Sequence, residues 1–177
     1  IEAWRTVEDG GLLAVGIQGP LTGFGINGLA ILDDPLKDRA DAESQQIRDS
    51  IWDWILSVYA TRLEKGSTPF VVATRWHRDD PSGRLLRGEM AEFPEWRHIH
   101  LRAIETDDAG EEHALWPEMF PLEKLRAKRG PYGGGKEWHS LYQGEPLPDG
   151  GALFGPATYE TFPGDEGRVF GGLRMAG

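Results

Sequence analysis

Apolar positions in this chain fall into short continuous runs separated by one long helical stripe. Leu29-Ala30-Ile31-Leu32 is such a run, entered from Gly28 and closed by Asp33-Asp34-Pro35. A short apolar run bounded by Gly and Pro predicts a strand buried in a parallel sheet. From Glu43 to Leu63 the period changes. Ile47, Ile51, Trp54, Ile55, Val58, Tyr59 and Leu63 recur three or four apart and predict a helix with one apolar face. A polar connection, Lys37 to Ala42, leads into it; Asp41 or Ser44 is placed to cap its start and Gly66 to end it. Phe70-Val71-Val72-Ala73-Thr74 is a second buried run, ending in Thr74-Arg75-Trp76-His77. Strand, helix, strand, with polar residues at both strand ends, predicts a βαβ unit whose helix is the crossover. Trp52 and Trp54 then read as core residues rather than as a base-stacking surface.

The flanking sequence is less regular. Trp4 to Val7 and Leu12 to Gln18 enclose Glu8-Asp9-Gly10-Gly11, the pattern of a hairpin. Gly19 to Gly25 is a glycine-rich loop that leads into a strand, whereas a phosphate cradle leads into a helix N-terminus. Asp79-Asp80-Pro81 opens a short capped helix, with Pro81 in its first turn. Trp96 to Leu101 predicts a strand, followed by an acidic loop from Glu105 to Glu112 and helices over Pro121 to Lys128 and Lys136 to Tyr142. From Gln143 on, the chain is rich in Gly and Pro and reads as a linker with short extended pieces such as Ala152-Leu153-Phe154 and Arg168-Val169-Phe170.

Composition narrows the function classes. The 177 residues suffice for one domain with a sizeable core. A net charge of −10 argues against a freestanding nucleic-acid binder, which carries a basic excess. The absence of Cys excludes disulfides and thiolate metal sites. No apolar run reaches the roughly 20 residues of a membrane span, and no signal peptide is visible. The chain opens at Ile1 already in patterned sequence, so it is expected to begin inside a longer protein.

Ligands of parallel sheets sit outside the carboxyl ends of the strands. Asp33, Asp34, Thr74 and Arg75 therefore converge on one crevice if the two strands are neighbours. In nucleotide hydrolases a strand-end acid holds Mg²⁺ through its water shell, and an adjacent acid orients the attacking water. The plainer reading is an Asp-Asp-Pro turn with Asp capping the backbone. Arg75 either meets a γ-phosphate or pairs with a carboxylate at the strand end. A phosphate loop is matched only partly, by Gly130-Pro131-Tyr132-Gly133-Gly134-Gly135-Lys136. Glu137 follows, where a Ser or Thr hydroxyl is required, so the stretch reads as a turn between helices. His98 and His100 share one strand face and read as paired surface histidines for want of a third metal ligand. His77, Asp79 and Asp80 form a nuclease-like cluster, but the two acids also suit a helix N-terminus.

Several segments occur together in a specific order. They are Ile31-Leu32-Asp33-Asp34-Pro35-Leu36-Lys37, Ile51-Trp52-Asp53-Trp54, Thr61-Arg62-Leu63-Glu64, Thr74-Arg75-Trp76-His77 with Asp79-Asp80, Gly83-Arg84-Leu85-Leu86, Leu115-Trp116-Pro117-Glu118 and Leu141-Tyr142-Gln143. As an ordered set, from about Gly10 to Phe154, they resemble the large terminase subunit of tailed bacteriophages, the DNA-packaging motor. That family couples an ATPase domain of the RecA-like P-loop class to a nuclease domain of RNase H-like fold. The resemblance implies an α/β fold, a partial RecA-like P-loop NTPase domain with a mostly parallel sheet. Residues 1–142 would be the C-terminal part of the ATPase domain, without the Walker A region, and residues 143–177 a linker toward the nuclease domain.

The resemblance also implies roles. Leu29 to Asp34 would be the Walker B strand, Asp33 the Mg²⁺ acid, Asp34 the catalytic carboxylate, and Thr74 part of the motif linking nucleotide state to DNA movement. ATP and Mg²⁺ would be the cofactors. Viral double-stranded DNA, the prohead portal protein and the small terminase subunit would be partners, with a ring on the portal in the host cytoplasm and a free monomer. Three departures stand out: many relatives have Glu in place of Asp34, Arg102-Ala103 replaces a common Pro-Ala, and Gly130 to Lys136 replaces an ordinary helix connection. The chain alone is expected to be inactive for lack of a phosphate cradle. The competing expectations are a non-catalytic prophage remnant or interaction module, and a metal-dependent nuclease.

Overall fold

The computed structural model describes residues 2–8, 10–19, 21, 23–90, 96–130 and 133–148. Its elements are β1 (Glu2–Arg5), β2 (Gly11–Ala14), β3 (Leu29–Asp33), α1 (Arg39–Glu43), α2 (Gln45–Trp54), β4 (Thr68–Val72), α3 (Pro81–Leu86), β5 (Ile104–Thr106), β6 (Glu112–Ala114) and α4 (Leu122–Arg129). The fold is mixed α/β. β1–β2 and β5–β6 are antiparallel pairs, and β3–β4 is parallel. Among the described residues these pairs do not join into the mostly parallel sheet expected of a RecA-like domain. No described helix is long and apolar enough to cross a membrane.

The βαβ unit forms as its periodicity predicts. β3 and β4 run side by side with Leu29 opposite Thr68 and Asp33 opposite Val72. The connecting helical segment is continuous in outline but changes character along its length. Ser44 Oγ accepts the Ile47 N–H and caps α2. The segment then loosens into a π-helical turn, Ile55–Tyr59, and tightens into a 3₁₀ turn, Ala60–Arg62. Ser57 and Thr61 hydroxyls donate to carbonyls one turn back, at Asp53, Ser57 and Val58, competing with the regular ladder there. Ile51, Trp52, Ile55 and Tyr59 are buried with Ala30, Leu32, Leu36, Leu85 and Met90 in the main core. Trp52 is thus a core residue, and Trp54 packs against the same cluster.

Tyr59 ties the crossover to the sheet. Its Oη donates to the Ala30 carbonyl at 2.7 Å, and burial pushes its phenol pKa up to about 12. The folded chain therefore holds this proton where the unfolded chain has released it. Stability should fall as pH rises from the unfolded phenol value near 10 toward 12, with no such slope below that window. Tyr59→Phe should remove this alkaline dependence and cost about 1–2 kcal/mol at neutral pH, because the buried hydrogen bond to the Ala30 carbonyl is lost. Urea unfolding of both proteins at neutral and alkaline pH checks this.

Four expectations need correction. β3 is buried on one face only: Ala30 and Leu32 point into the core, while Leu29 and Ile31 are 59% and 54% exposed. Phe70 and Val72 of β4 are also exposed, each at 47%, so no described layer covers that face. Lys37 to Ala42 is not just a polar connection, because Asp38 accepts the Asp41 N–H and caps α1, and Ala42 is fully buried. Residues 96–101 form no strand; the pairing begins at Ile104, and the acidic loop is the turn of the β5–β6 hairpin. At the start of that hairpin the Ile104 N–H donates to Gln143 Oε1 and the Ile104 carbonyl accepts from Gln143 Nε2. The single parallel pair replaces a mostly parallel sheet.

The other predicted elements are present. The first hairpin pairs Glu2 with Ala14 through Arg5 with Gly11. α4 covers the predicted helix, and a helical turn runs from Lys136 through Trp138–Tyr142. Trp138 and Leu125 pack on Ile104 in a second, smaller core. The linker pieces at residues 152–154 and 168–170 lie outside the described residues.

Candidate functional site

Parallel pairing brings Asp33, Asp34 and Thr74 to one strand end, as the sequence pattern requires. Asp33 is the last residue of β3 and shares the exposed face with Leu29 and Ile31. It makes no hydrogen bond or ion pair with a described residue, so its carboxylate is available to solvent. Asp34 lies just beyond the strand with φ of +35°, a left-handed conformation that Asp tolerates better than most residues. Its N–H donates to the Val72 carbonyl at 2.9 Å, and its Oδ1 accepts the Thr74 N–H at 2.9 Å. One carboxylate thereby fastens the two strand ends together. A non-glycine residue at positive φ at a strand end is an observation from which a functional role is argued, since such strain gathers at working sites. It is equally the geometry of a backbone-capping Asp.

Arg75 does not join them. Its Nε donates to both carboxylate oxygens of Asp80 at 3.0 Å, and the pair is almost fully buried. Of the two roles considered for Arg75, the structure shows the ion pair. Asp80 also caps α3, accepting the Gly83 N–H at 2.7 Å and the His77 N–H at 3.3 Å.

Asp79 is equally committed. Arg84 and Arg87 both donate to it, at 2.6 Å and 2.7 Å, and Arg48 lies 3.6 Å away. Burial works against the ionisation of Asp79, but the hydrogen bonds and charges of Arg84 and then Arg87 outweigh it and hold its pKa below the usual value. Arg84 further binds Asp49 of α2 and lies over the Trp52 ring at 5.8 Å. The acids of the nuclease-like cluster are thus occupied by guanidinium groups that lock α3 onto α2. The sequence marks a helix N-terminus there but not its arginine partners, which sit five to 31 residues away with no period to reveal them.

Lys136, at the end of the partial phosphate loop, contacts the Glu43 carboxylate, whose pKa is lowered chiefly by that hydrogen bond. Its ammonium closes the junction between α1 and the Trp138 turn. His98 and His100 stack at 5.3 Å between ring centroids without a strand to hold them. Among the described residues no three His, Asp or Glu side chains gather as metal ligands. A single strand-end acid acting through water needs no such group, and the exposed Asp33 carboxylate suits that task. No family profile and no curated protein matches the sequence, and no solved structure matches the fold.

Proposed function

We propose that this chain is the C-terminal half of the ATPase domain of a phage-type large terminase subunit, contributing the acidic half of a nucleotide site. One observation carries the reading: the parallel β3–β4 pair sets Asp33, Asp34 and Thr74 at one carboxyl edge, with Asp34 bonded to the Thr74 backbone. In this reading the longer protein supplies a phosphate loop, and bound Mg-ATP supplies the scissile phosphoanhydride. Asp33 holds the cation through its water shell. Asp34, through the carboxylate oxygen that Thr74 does not use, orients the attacking water and accepts its proton. Its Oδ1 link to Thr74 joins the hydrolytic position to the segment that would report nucleotide state to DNA.

The uncovered face of Leu29, Ile31, Phe70 and Val72 fits the same proposal, since parallel sheets are normally covered on both faces. The rest of a RecA-like domain would provide that cover. DNA, portal and small-subunit partners, and host-cytoplasm location, belong to this proposal and rest on the family resemblance.

A second reading has one observation in its favour. Asp34 is already spent on a backbone cap and Arg75 on Asp80, as in an interaction module without catalysis. Asp33→Asn in the full-length protein separates the two. The motor reading expects Mg²⁺-dependent ATP affinity to fall by about 10–100-fold, measured by titration with a fluorescent nucleotide. Thermal unfolding should not change, because Asp33 has no described partner to lose. Unchanged affinity would favour the non-catalytic module.

A further inference from the structure

An open cleft of about 770 Å³, lined by Arg75 but by neither strand-end acid, lies on the described part of the chain. Four arginines and three histidines line it, against two carboxylates, in a protein of net charge −10. Four stretches build it: the loop after β4 with Arg75, His77, Arg78 and Asp79; α3 and its end with Gly83, Leu86 and Arg87; the segment 98–102; and residues 144–148. Two glycines permit their close approach. A Cβ on Gly83 would come within 2.1 Å of the Arg78 carbonyl, and one on Gly144, at φ of +63°, within 2.7 Å of His100 Nε2. The cleft is therefore a packed feature and not a gap between loose loops.

We propose that this cleft binds a phosphate group and that His98, held against His100 in the stack, makes the binding stronger at lower pH. It is built from residues other than Asp33 and Asp34 and does not depend on the nucleotide reading of those acids. The stack fixes two imidazoles side by side. His100 Nε2 is anchored on the Gln143 carbonyl at 2.6 Å, which makes that nitrogen the N–H donor and turns the ring toward its neighbour. Burial first, then the charges of His100, Arg75 and Arg102, hold the His98 pKa below its ordinary value. Buried beside these cations, His98 resists protonation until an anion enters the cleft.

The described residues place several charges around the stack. From the loop after β4 come Arg75, whose Nε is taken by Asp80, and Arg78, which has no carboxylate partner among the described residues. From the end of α3 comes Arg87, shared between Asp79 and Glu89. From the segment holding the stack comes Arg102, paired at 2.7 Å with Glu145 on the rim. His77 lies on the floor with other contacts of its own. An incoming phosphate meets the Arg78 guanidinium and competes with Glu145 for Arg102. Guanidinium groups match phosphate oxygens in bidentate geometry, and the volume leaves room for whatever carries the phosphate.

The two sources of such a group, a free phosphate and a nucleic-acid backbone, are told apart by probe. The 177-residue chain is titrated with inorganic pyrophosphate and, separately, with a short DNA duplex, while imidazole C–H resonances are followed by NMR across pH 5.5 to 7.5. The expected result is a saturable shift of the His98 and His100 resonances, a His98 titration midpoint that moves upward when the probe is bound, and affinity roughly tenfold higher at the acid end. His113, exposed on the β5–β6 hairpin beside Asp107, should not respond. Arg78→Ala should weaken binding severalfold without altering the spectrum of the unbound protein. A response to both probes assigns free phosphate as a ligand, and a response to the duplex alone assigns the backbone phosphate. No saturable shift with either probe, a shift shared equally by His113, or full affinity in Arg78→Ala overturns the proposal.

Discussion

Replacing Asp80 by Ala should destabilise the chain by roughly 3–5 kcal/mol, the cost of leaving one member of a buried ion pair without its partner. Asp80 is 2% exposed and answers three donors: the Arg75 Nε–H through both oxygens, the Gly83 N–H, and the His77 N–H. Alanine strands the Arg75 charge in a site where its side chain is only 16% exposed and uncaps α3 in the same step. Asp80→Asn keeps the oxygen that caps α3 while removing the charge, so it should fall between Ala and the parent. Asp38→Ala, a surface cap of α1, should cost only about 1 kcal/mol. Urea unfolding followed by tryptophan fluorescence ranks the three, and a loss below about 1 kcal/mol for Asp80→Ala would contradict the burial of this pair.

The prediction concerns a residue whose role the sequence shows only in part. Asp80 ahead of Pro81 announces a helix start, and α3 begins there. That Asp80 also neutralises Arg75, and that Asp79 gathers Arg48, Arg84 and Arg87, depends on contacts between separate elements. Charge pairs carry no periodicity, so the sequence leaves a strand-end arginine open between a ligand contact and a salt bridge, and the structure shows the bridge. The main core was legible for the opposite reason. Ile51, Ile55 and Tyr59 repeat at four-residue spacing, and Ala30 and Leu32 alternate, so burial pattern and sequence pattern coincide.

Other features escaped for physical reasons of their own. Tertiary bonds from Gln143 to Ile104 set where the second hairpin starts, and local propensity at residues 96–101 does not outweigh them. α1 is one short turn, announced only by Asp38 and by two alanines, too brief for a helical period to show. The exposed face of the β3–β4 pair has the composition of a buried one, because a continuous apolar run records the cover a strand is suited to and not the cover present among the described residues. The strand-end acids were legible as a pair, and the bond from Asp34 to Thr74 across 40 positions follows directly from parallel pairing.

That bond decides how the hydrolytic role of Asp34 is best tested. Alanine at this position would release the Thr74 backbone and relax a residue held at φ of +35°, so any loss of turnover would mix structure with chemistry. Asparagine keeps an oxygen for the Thr74 N–H and accepts left-handed φ as readily as Asp, while losing the charge and the capacity to take a proton. The decisive measurement is the steady-state ATPase rate of Asp34→Asn in the full-length protein, alongside its Mg-ATP affinity. The nucleotide-site account predicts retained Mg-ATP binding with turnover lower by about 10²–10⁴-fold, the usual contribution of a general base. Turnover equal to that of the parent protein would contradict it and leave Asp34 as a backbone cap.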